Sequence, residues 1–232
     1  MPVIASERVA PVVAVLVAGL LVSACSRDGA ATVVAQAAPI LPASADKKCV
    51  LFLHGKGATA MPSSAAGDVE FLRPGGNGTG WGGREWRYFP RDRYEELRGA
   101  LSGALDAAGC GRVVVQGFSN GAAAAAKLYC AGENLGGRVI GYIADDPVPD
   151  AGVVGCKPQA GMPVRLYWTG ALSTATDGWS CATLDWTCEG GKTIGMERYA
   201  RELGTVGAPS IHSTHVEYAS PPEVAAWLDQ ER

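Results

Sequence analysis

The sequence predicts an α/β fold: a mostly parallel sheet of about six strands, shortened, with helices on both faces and no lid domain. Three observations predict it. Continuous apolar runs such as Cys49-Val50-Leu51-Phe52-Leu53 have the form of strands buried on both sides. Stretches with a helical apolar stripe alternate with these runs. A pentad, Gly117-Phe118-Ser119-Asn120-Gly121, stands between the β run Arg112-Val113-Val114-Val115-Gln116 and a small-residue helical run, the setting of a sharp strand-to-helix turn that exposes a serine hydroxyl.

In chain order, residues 49–53 form the first strand and residues 69–73 a weaker one. Residues 92–108 are helical, with Tyr94, Leu97, Leu101 and Leu105 on one stripe. Residues 112–116 are the strand before the pentad and 122–131 the helix after it. Residues 139–144 and 164–169 are further strands, joined by a Pro/Gly-rich link too short for a helical cap. Residues 194–203 are helical, 210–214 form the last strand, and 222–230 a closing helix that starts near Pro222. No strand is evident ahead of Cys49. Gly75-Gly76-Asn77-Gly78-Thr79-Gly80 precedes no helix, so it is not a dinucleotide fingerprint and reads as a flexible rim loop.

The chain has 232 residues and a formal net charge of −3, with no basic field to attract nucleic acid. Residues 1–24 read as a signal peptide: Arg8, then an almost wholly apolar stretch over 9–22, then small residues. The stretch is short of the ~20 residues a membrane span needs. Leu21-Val22-Ser23-Ala24-Cys25 resembles a bacterial lipobox, which implies cleavage before Cys25 and a lipid on its sulfur. Residues 25–46 form an Ala/Pro/Ser-rich flexible tether, and 47–232 the catalytic domain. The expected location is export with lipid anchoring to the cell envelope, plain secretion being the alternative. Beyond Cys25, six cysteines remain: Cys49, Cys110, Cys130, Cys156, Cys181 and Cys188. An even number in an exported chain points to disulfides, and six allow fifteen pairings. Topology narrows them: Cys49 and Cys110 each precede strands expected to be neighbours, Cys130 and Cys156 fall on one face, and Cys181 and Cys188 can staple one loop. No Cys/His spacing suits zinc, and no cofactor is expected.

A serine becomes a nucleophile when a histidine takes its proton and a carboxylate holds that histidine. Ser119 is the candidate nucleophile. Asp145, Asp146, Asp150, Asp177 and Asp185 follow it, and then His212 and His215. The order resembles the α/β-hydrolase fold from Cys49 to the C-terminus, and three motifs carry the resemblance. The pentad is the first. The second, Leu53-His54-Gly55-Lys56-Gly57, is similar to the His-Gly-x-Gly turn of esterases and dienelactone-hydrolase-like enzymes, which implies oxyanion donation by the backbone amides of Lys56 and Asn120. The side chain of His54 is read as structural. The third, Cys181-Ala182-Thr183-Leu184-Asp185-Trp186-Thr187-Cys188, looks like the disulfide-closed acid loop of cutinases and implies Asp185 as the acid. Asp146 stands second, because some lipases carry the acid after the equivalent strand, and Asp177 third. A strand running on through both would point His212 and His215 in opposite directions. His215 is nearer the C-terminal end where catalytic groups of open sheets gather, and is preferred as the base.

The resemblance implies a carboxylic-ester hydrolase working through an acyl-enzyme on a small ester or an acylated envelope substrate. The alternatives are an acyltransferase or peptidase with the same triad, or a non-catalytic envelope-binding protein on the same fold. Trp81, Trp86, Trp168, Trp179 and Trp186 are expected near the rim beside Ser119, as a substrate platform or as local cores for the glycine-rich loops. Lys56 is expected to favour an anionic substrate.

Overall fold

The computed structural model describes residues 46–169, 177–204, 210–212 and 222–230. The signal peptide, Cys25, nearly all of the tether, and His215 lie outside the described residues.

The strands and helices are β1 (Lys48–Leu53), β2 (Ser64–Ala66), β3 (Val69–Leu72), β4 (Gly78–Gly80), β5 (Gly83–Glu85), α1 (Arg91–Ala108), β6 (Arg112–Phe118), α2 (Asn120–Cys130), β7 (Val139–Asp145), β8 (Val164–Thr169), β9 (Asp177–Ser180), β10 (Lys192–Ile194), α3 (Met196–Leu203), β11 (Ser210–His212) and α4 (Pro222–Leu228). The main sheet runs β11-β8-β7-β6-β1-β3-β2. Its first six strands are parallel, and the three-residue β2 adds an antiparallel edge on β3. Two hairpins, β4–β5 and β9–β10, stand apart from the main sheet.

Period-two alternation divides each central strand between the two faces. Cys49, Leu51 and Leu53 of β1, Val113 and Val115 of β6, and Tyr142 and Ala144 of β7 face α1, α2 and α3. Val50, Val114, Ile143 and Tyr167 face Val224 and Leu228 of α4. The α1 stripe Leu97, Leu101 and Leu105 is fully buried. That helix ends in a left-handed Gly109 (φ 69°), with the Cys110 amide returning to the Leu105 carbonyl at 3.1 Å, the six-to-one bond of a Schellman cap. On the other face, α4 lies close enough that a Cβ on Gly141 would collide with the Trp227 ring.

Disulfides join Cys49 to Cys110, Cys130 to Cys156, and Cys181 to Cys188. The first ties the start of β1 to the residue beyond α1, and the second ties the end of α2 to the link after β7.

Two readings need correction, and one left open is decided. Gly75–Gly80 is not a loose loop: it leads into the β4–β5 hairpin, and a Cβ on Gly76 would overlap the Glu85 carbonyl. Short glycine-rich strands carry no apolar alternation, so the pattern does not show them. Trp86 is no substrate platform, and its local-core reading holds. It is fully buried, as is Tyr88, and both belong to the core on the α1–α2 face. The helix expected from residue 194 begins at Met196, because Ile194 ends β10 and Gly195 (φ 73°) turns the chain.

Removing the Cys49–Cys110 bridge by paired alanine substitution should lower stability by about 4 kcal/mol, as expected for freeing a loop of some sixty residues. Chemical denaturation under non-reducing conditions measures it. A loss below about 1 kcal/mol would mean that the reduced chain already keeps these ends together.

Candidate active site

The chain order reverses between β1 and β6. From β1 the sheet grows through β3 in one direction, and from β6 it grows through β7, β8 and β11 in the other. Open α/β sheets bind ligands at the carboxyl ends of the strands flanking such a switch. Here those ends carry His54-Gly55-Lys56-Gly57 and Phe118-Ser119, because Leu53 pairs with Gly117.

Ser119 has φ 53° and ψ −116°, a conformation that costs about 1–3 kcal/mol in a non-glycine residue. The surroundings hold it there. The Ser119 amide donates to the Asp145 carbonyl at 2.9 Å, and its own carbonyl accepts from Ala122 and Ala123 in the first turn of α2. A Cβ on Gly117 would strike the Gly121 carbonyl, and one on Gly121 would strike the carbonyls of Leu53 and His54. A Cβ on Gly55 would lie 3.5 Å from the Ser119 Cβ. Gly117 and Gly121 are therefore required by backbone approach, and the elbow is wedged between β1 and α2. Ala122 to Ala126 are all buried, so α2 lies tight against the sheet with its positive N-terminal end at the serine. The parallel sheet with this strand–turn–helix is the arrangement of the α/β-hydrolase fold.

The two candidate oxyanion amides are available. In the turn after β1, the Gly57 amide donates to Arg84 at 2.9 Å and the Ala58 amide to Gly55 at 3.3 Å. The amides of Lys56 and of Asn120, the first residue of α2, have no acceptor among the described residues.

Behind the turn, His54 is almost fully buried. Its Nε2 accepts from the Gly76 amide at 3.1 Å, so its Nδ1 carries the proton and donates to the Gly55 carbonyl at 2.7 Å. Burial pushes its pKa below the ordinary value, which keeps the ring neutral. Its carbonyl accepts from the Trp86 indole at 3.0 Å, with the two rings 5.1 Å apart. The Asn120 carboxamide then locks onto the Trp86 backbone: its Oδ1 accepts from the Trp86 amide at 2.7 Å, and its Nδ2 donates to the Trp86 carbonyl at 3.1 Å. Sequence reasoning assigned Asn120 a backbone role alone and missed this side-chain clamp. An amide side chain directly after the serine was the signal available.

The candidate acids occupy different places. Asp185 lies at positive φ (53°) in the Cys181–Cys188 loop, with its side chain 75% exposed. Its carboxylate accepts from the Trp81 indole and stands 3.7 Å from the Lys56 ammonium. Asp146 is buried at the end of β7, also at positive φ (48°), and accepts from the amide and, at 2.6 Å, the hydroxyl of Thr169. Thr169 pairs in register with His212 of β11. Asp177 opens β9 and is exposed. Lys56 is no open anion site, since Asp185 and Glu85 already face its ammonium. Trp81 and Trp179 are exposed, whereas Trp168 and Trp186 pack partly on the core.

Asp150 anchors the far end of the disulfide loop. Its carboxylate accepts from the Tyr88 hydroxyl at 2.6 Å, the Gly152 amide at 2.9 Å and the Glu189 amide at 2.6 Å. Burial pushes its carboxyl up to about 6 in spite of these donors.

No protein-family model matches the chain, and neither does any curated protein. Among solved structures it is similar to a carboxylesterase from Bacillus cereus, at 20% identity over 81% of this chain and 90% of that one, with a TM-score of 0.49. A carboxylesterase from Mesorhizobium loti is similar at 16% identity over 78% and 86%, with a TM-score of 0.42. An esterase from Pyrococcus furiosus is similar at 13% over 74% and 76%, also with a TM-score of 0.42.

The raised Asp150 pKa has a signed consequence. The folded chain holds this proton more tightly than the unfolded chain, so the group's contribution to stability is full below about pH 4 and falls as pH rises through about 6. Relative to Asp150→Asn, the wild type should lose on the order of 3 kcal/mol of unfolding free energy between pH 4 and pH 7. Urea titrations of both proteins across that range measure it. A difference that does not vary with pH would show an ordinary carboxyl.

Proposed function

We propose that the protein is an exported serine hydrolase of carboxylic esters, lipid-anchored through Cys25, acting on a small ester or an acylated molecule of the cell envelope. One observation carries the catalytic reading: Ser119 is held in a strained backbone conformation at the switch point of the sheet, beside two amides with no acceptor among the described residues. Strain at such a site is retained where the surrounding structure over-determines it. The three disulfides are compatible with an oxidising compartment.

In this reading the Ser119 hydroxyl attacks the ester carbonyl and its proton passes to His215. The amides of Asn120 and Lys56 take the oxyanion, each contributing about 3 kcal/mol to the transition state. Collapse expels the alcohol, which takes the proton from the imidazolium. Water, giving a proton to His215, then attacks the acyl-enzyme. The second tetrahedral intermediate collapses, Ser119 regains its proton from the imidazolium, and the acid leaves. Asp185 orients His215. For that role it has to exchange its Trp81 and Lys56 partners for the imidazole.

Asp146 is the second reading for the acid, favoured by its burial and by its anchorage on Thr169, next to the strand that leads toward His215.

Labelling with a fluorophosphonate probe tests the nucleophile. The wild type should label, and Ser119→Ala should not, with a fall of about 10⁴-fold or more in kcat on a p-nitrophenyl ester. An unlabelled wild type would favour the non-catalytic binding protein. The acid is assigned by comparing Asp185→Asn with Asp146→Asn. The acid's variant should lose roughly 10³–10⁴ in kcat through the wrong histidine tautomer, and the other variant far less.

A further inference from the structure

We infer that the Lys56 side chain is a positioning residue for the oxyanion donor on its own backbone. The inference rests on the reading of Ser119 as nucleophile.

The amide of Lys56 belongs to the Gly55–Lys56 peptide, so its direction is set by the freedom of Gly55 on one side and by the place of the Lys56 Cα on the other. An oxyanion donor is effective only when its direction is fixed before the reaction. The Gly55 carbonyl of that same peptide accepts from His54 Nδ1 at 2.7 Å and from the Ala58 amide at 3.3 Å, and the Gly57 amide donates to Arg84 at 2.9 Å. The Lys56 Cα, at the other end of the peptide, is held by the side chain, which is only 11% exposed. Its ammonium donates to the Asp185 carbonyl at 2.8 Å, lies 3.7 Å from both the Asp185 and Glu85 carboxylates, and stands 4.9 Å from the Trp81 ring centre. Glu85 is itself buried and held by Arg87 at 2.9 Å and by the Thr187 hydroxyl at 2.8 Å. The lysine stem crosses the β4–β5 hairpin where a Cβ on Gly80 would come within 2.6 Å of its Cε.

One side chain thus joins three segments distant in sequence: the turn after β1, the hairpin through Glu85 and Trp81, and the Cys181–Cys188 loop through Asp185. Its charge is spent on protein partners, so its effect on an ester reaches the reacting carbonyl through the direction of its amide. Such an effect belongs to the transition state and lowers kcat with KM little changed.

The test compares wild type, Ser119→Ala, Lys56→Met, Lys56→Arg and the double variant Lys56→Met/Glu85→Gln. The readouts are kcat and KM on p-nitrophenyl butyrate, the rate of labelling by a fluorophosphonate probe, and thermal unfolding. Lys56→Met should lower kcat and the labelling rate about 10- to 100-fold with KM within a factor of about two. Lys56→Arg should recover most of both. In the double variant, Glu85→Gln removes the buried carboxylate charge that Lys56→Met leaves with Arg87 alone, and should restore unfolding temperature without restoring kcat. If the wild type labels and Ser119→Ala does not, yet Lys56→Met keeps the wild-type kcat and labelling rate, the inference falls and the nucleophile stands. It falls equally if the double variant recovers kcat together with stability, since the lysine would then act only through folding. An unlabelled wild type removes the reading beneath it.

Discussion

The site depends on one close approach of backbones. The carbonyls of Leu53 and His54, at the end of β1, lie where a side chain on Gly121 would be. That contact draws the first turn of α2 against the first strand, and the same turn leaves no room for a Cβ on Gly117. Between the two glycines Ser119 has little choice of conformation. The strain in its backbone, about 1–3 kcal/mol by general experience, is spread over a core in which every central strand is buried on both faces. Much of what surrounds the serine supports this contact. The alanine-rich helix keeps the approach short, and the Asn120–Trp86 clamp prevents α2 from sliding away.

Charge is organised around the same point in two layers. The inner layer is neutral and dry: His54 in one tautomer, Trp86 and the Asn120 carboxamide. The outer layer is ionic, with Lys56, Glu85, Arg87 and Asp185 closing the hairpin against the disulfide loop. The division is physically sensible. The inner groups carry no charge to desolvate, and Glu85, buried in the outer layer, is compensated by Lys56, Arg87 and the Thr187 hydroxyl.

The fold was legible because its strands and helices carry strong periodic signals. Residues 49–53 and 112–116 could be read only as buried strands, and the leucine stripe of α1 only as a helix packed on a sheet. The elbow was legible because glycine at Gly117 and Gly121 has a steric cause visible in the motif itself. Topology narrowed the fifteen cysteine pairings without deciding them, and the three bridges of the structure are among those it favoured. The hairpins escaped notice, since Gly78–Gly80 and Lys192–Ile194 are too short to show alternation. Trp86 could be read as a platform or as a local core, because an aromatic in a glycine-rich stretch is placed only when the strands packing against it are known. The partners of Asp185 were out of reach, because Lys56 and Trp81 lie more than a hundred residues away in sequence.

The Cys49–Cys110 bridge has a mechanical meaning. Lys48 stands at the foot of β1, a central strand bonded along its length to β3 and β6. A pull on the chain from that side loads those two ladders in shear, the geometry in which many bonds must yield together. The bridge carries part of the load directly across to the foot of β6, below the turn that presents the serine. Force applied at Lys48 thus reaches β6 through a covalent link as well as through the ladder.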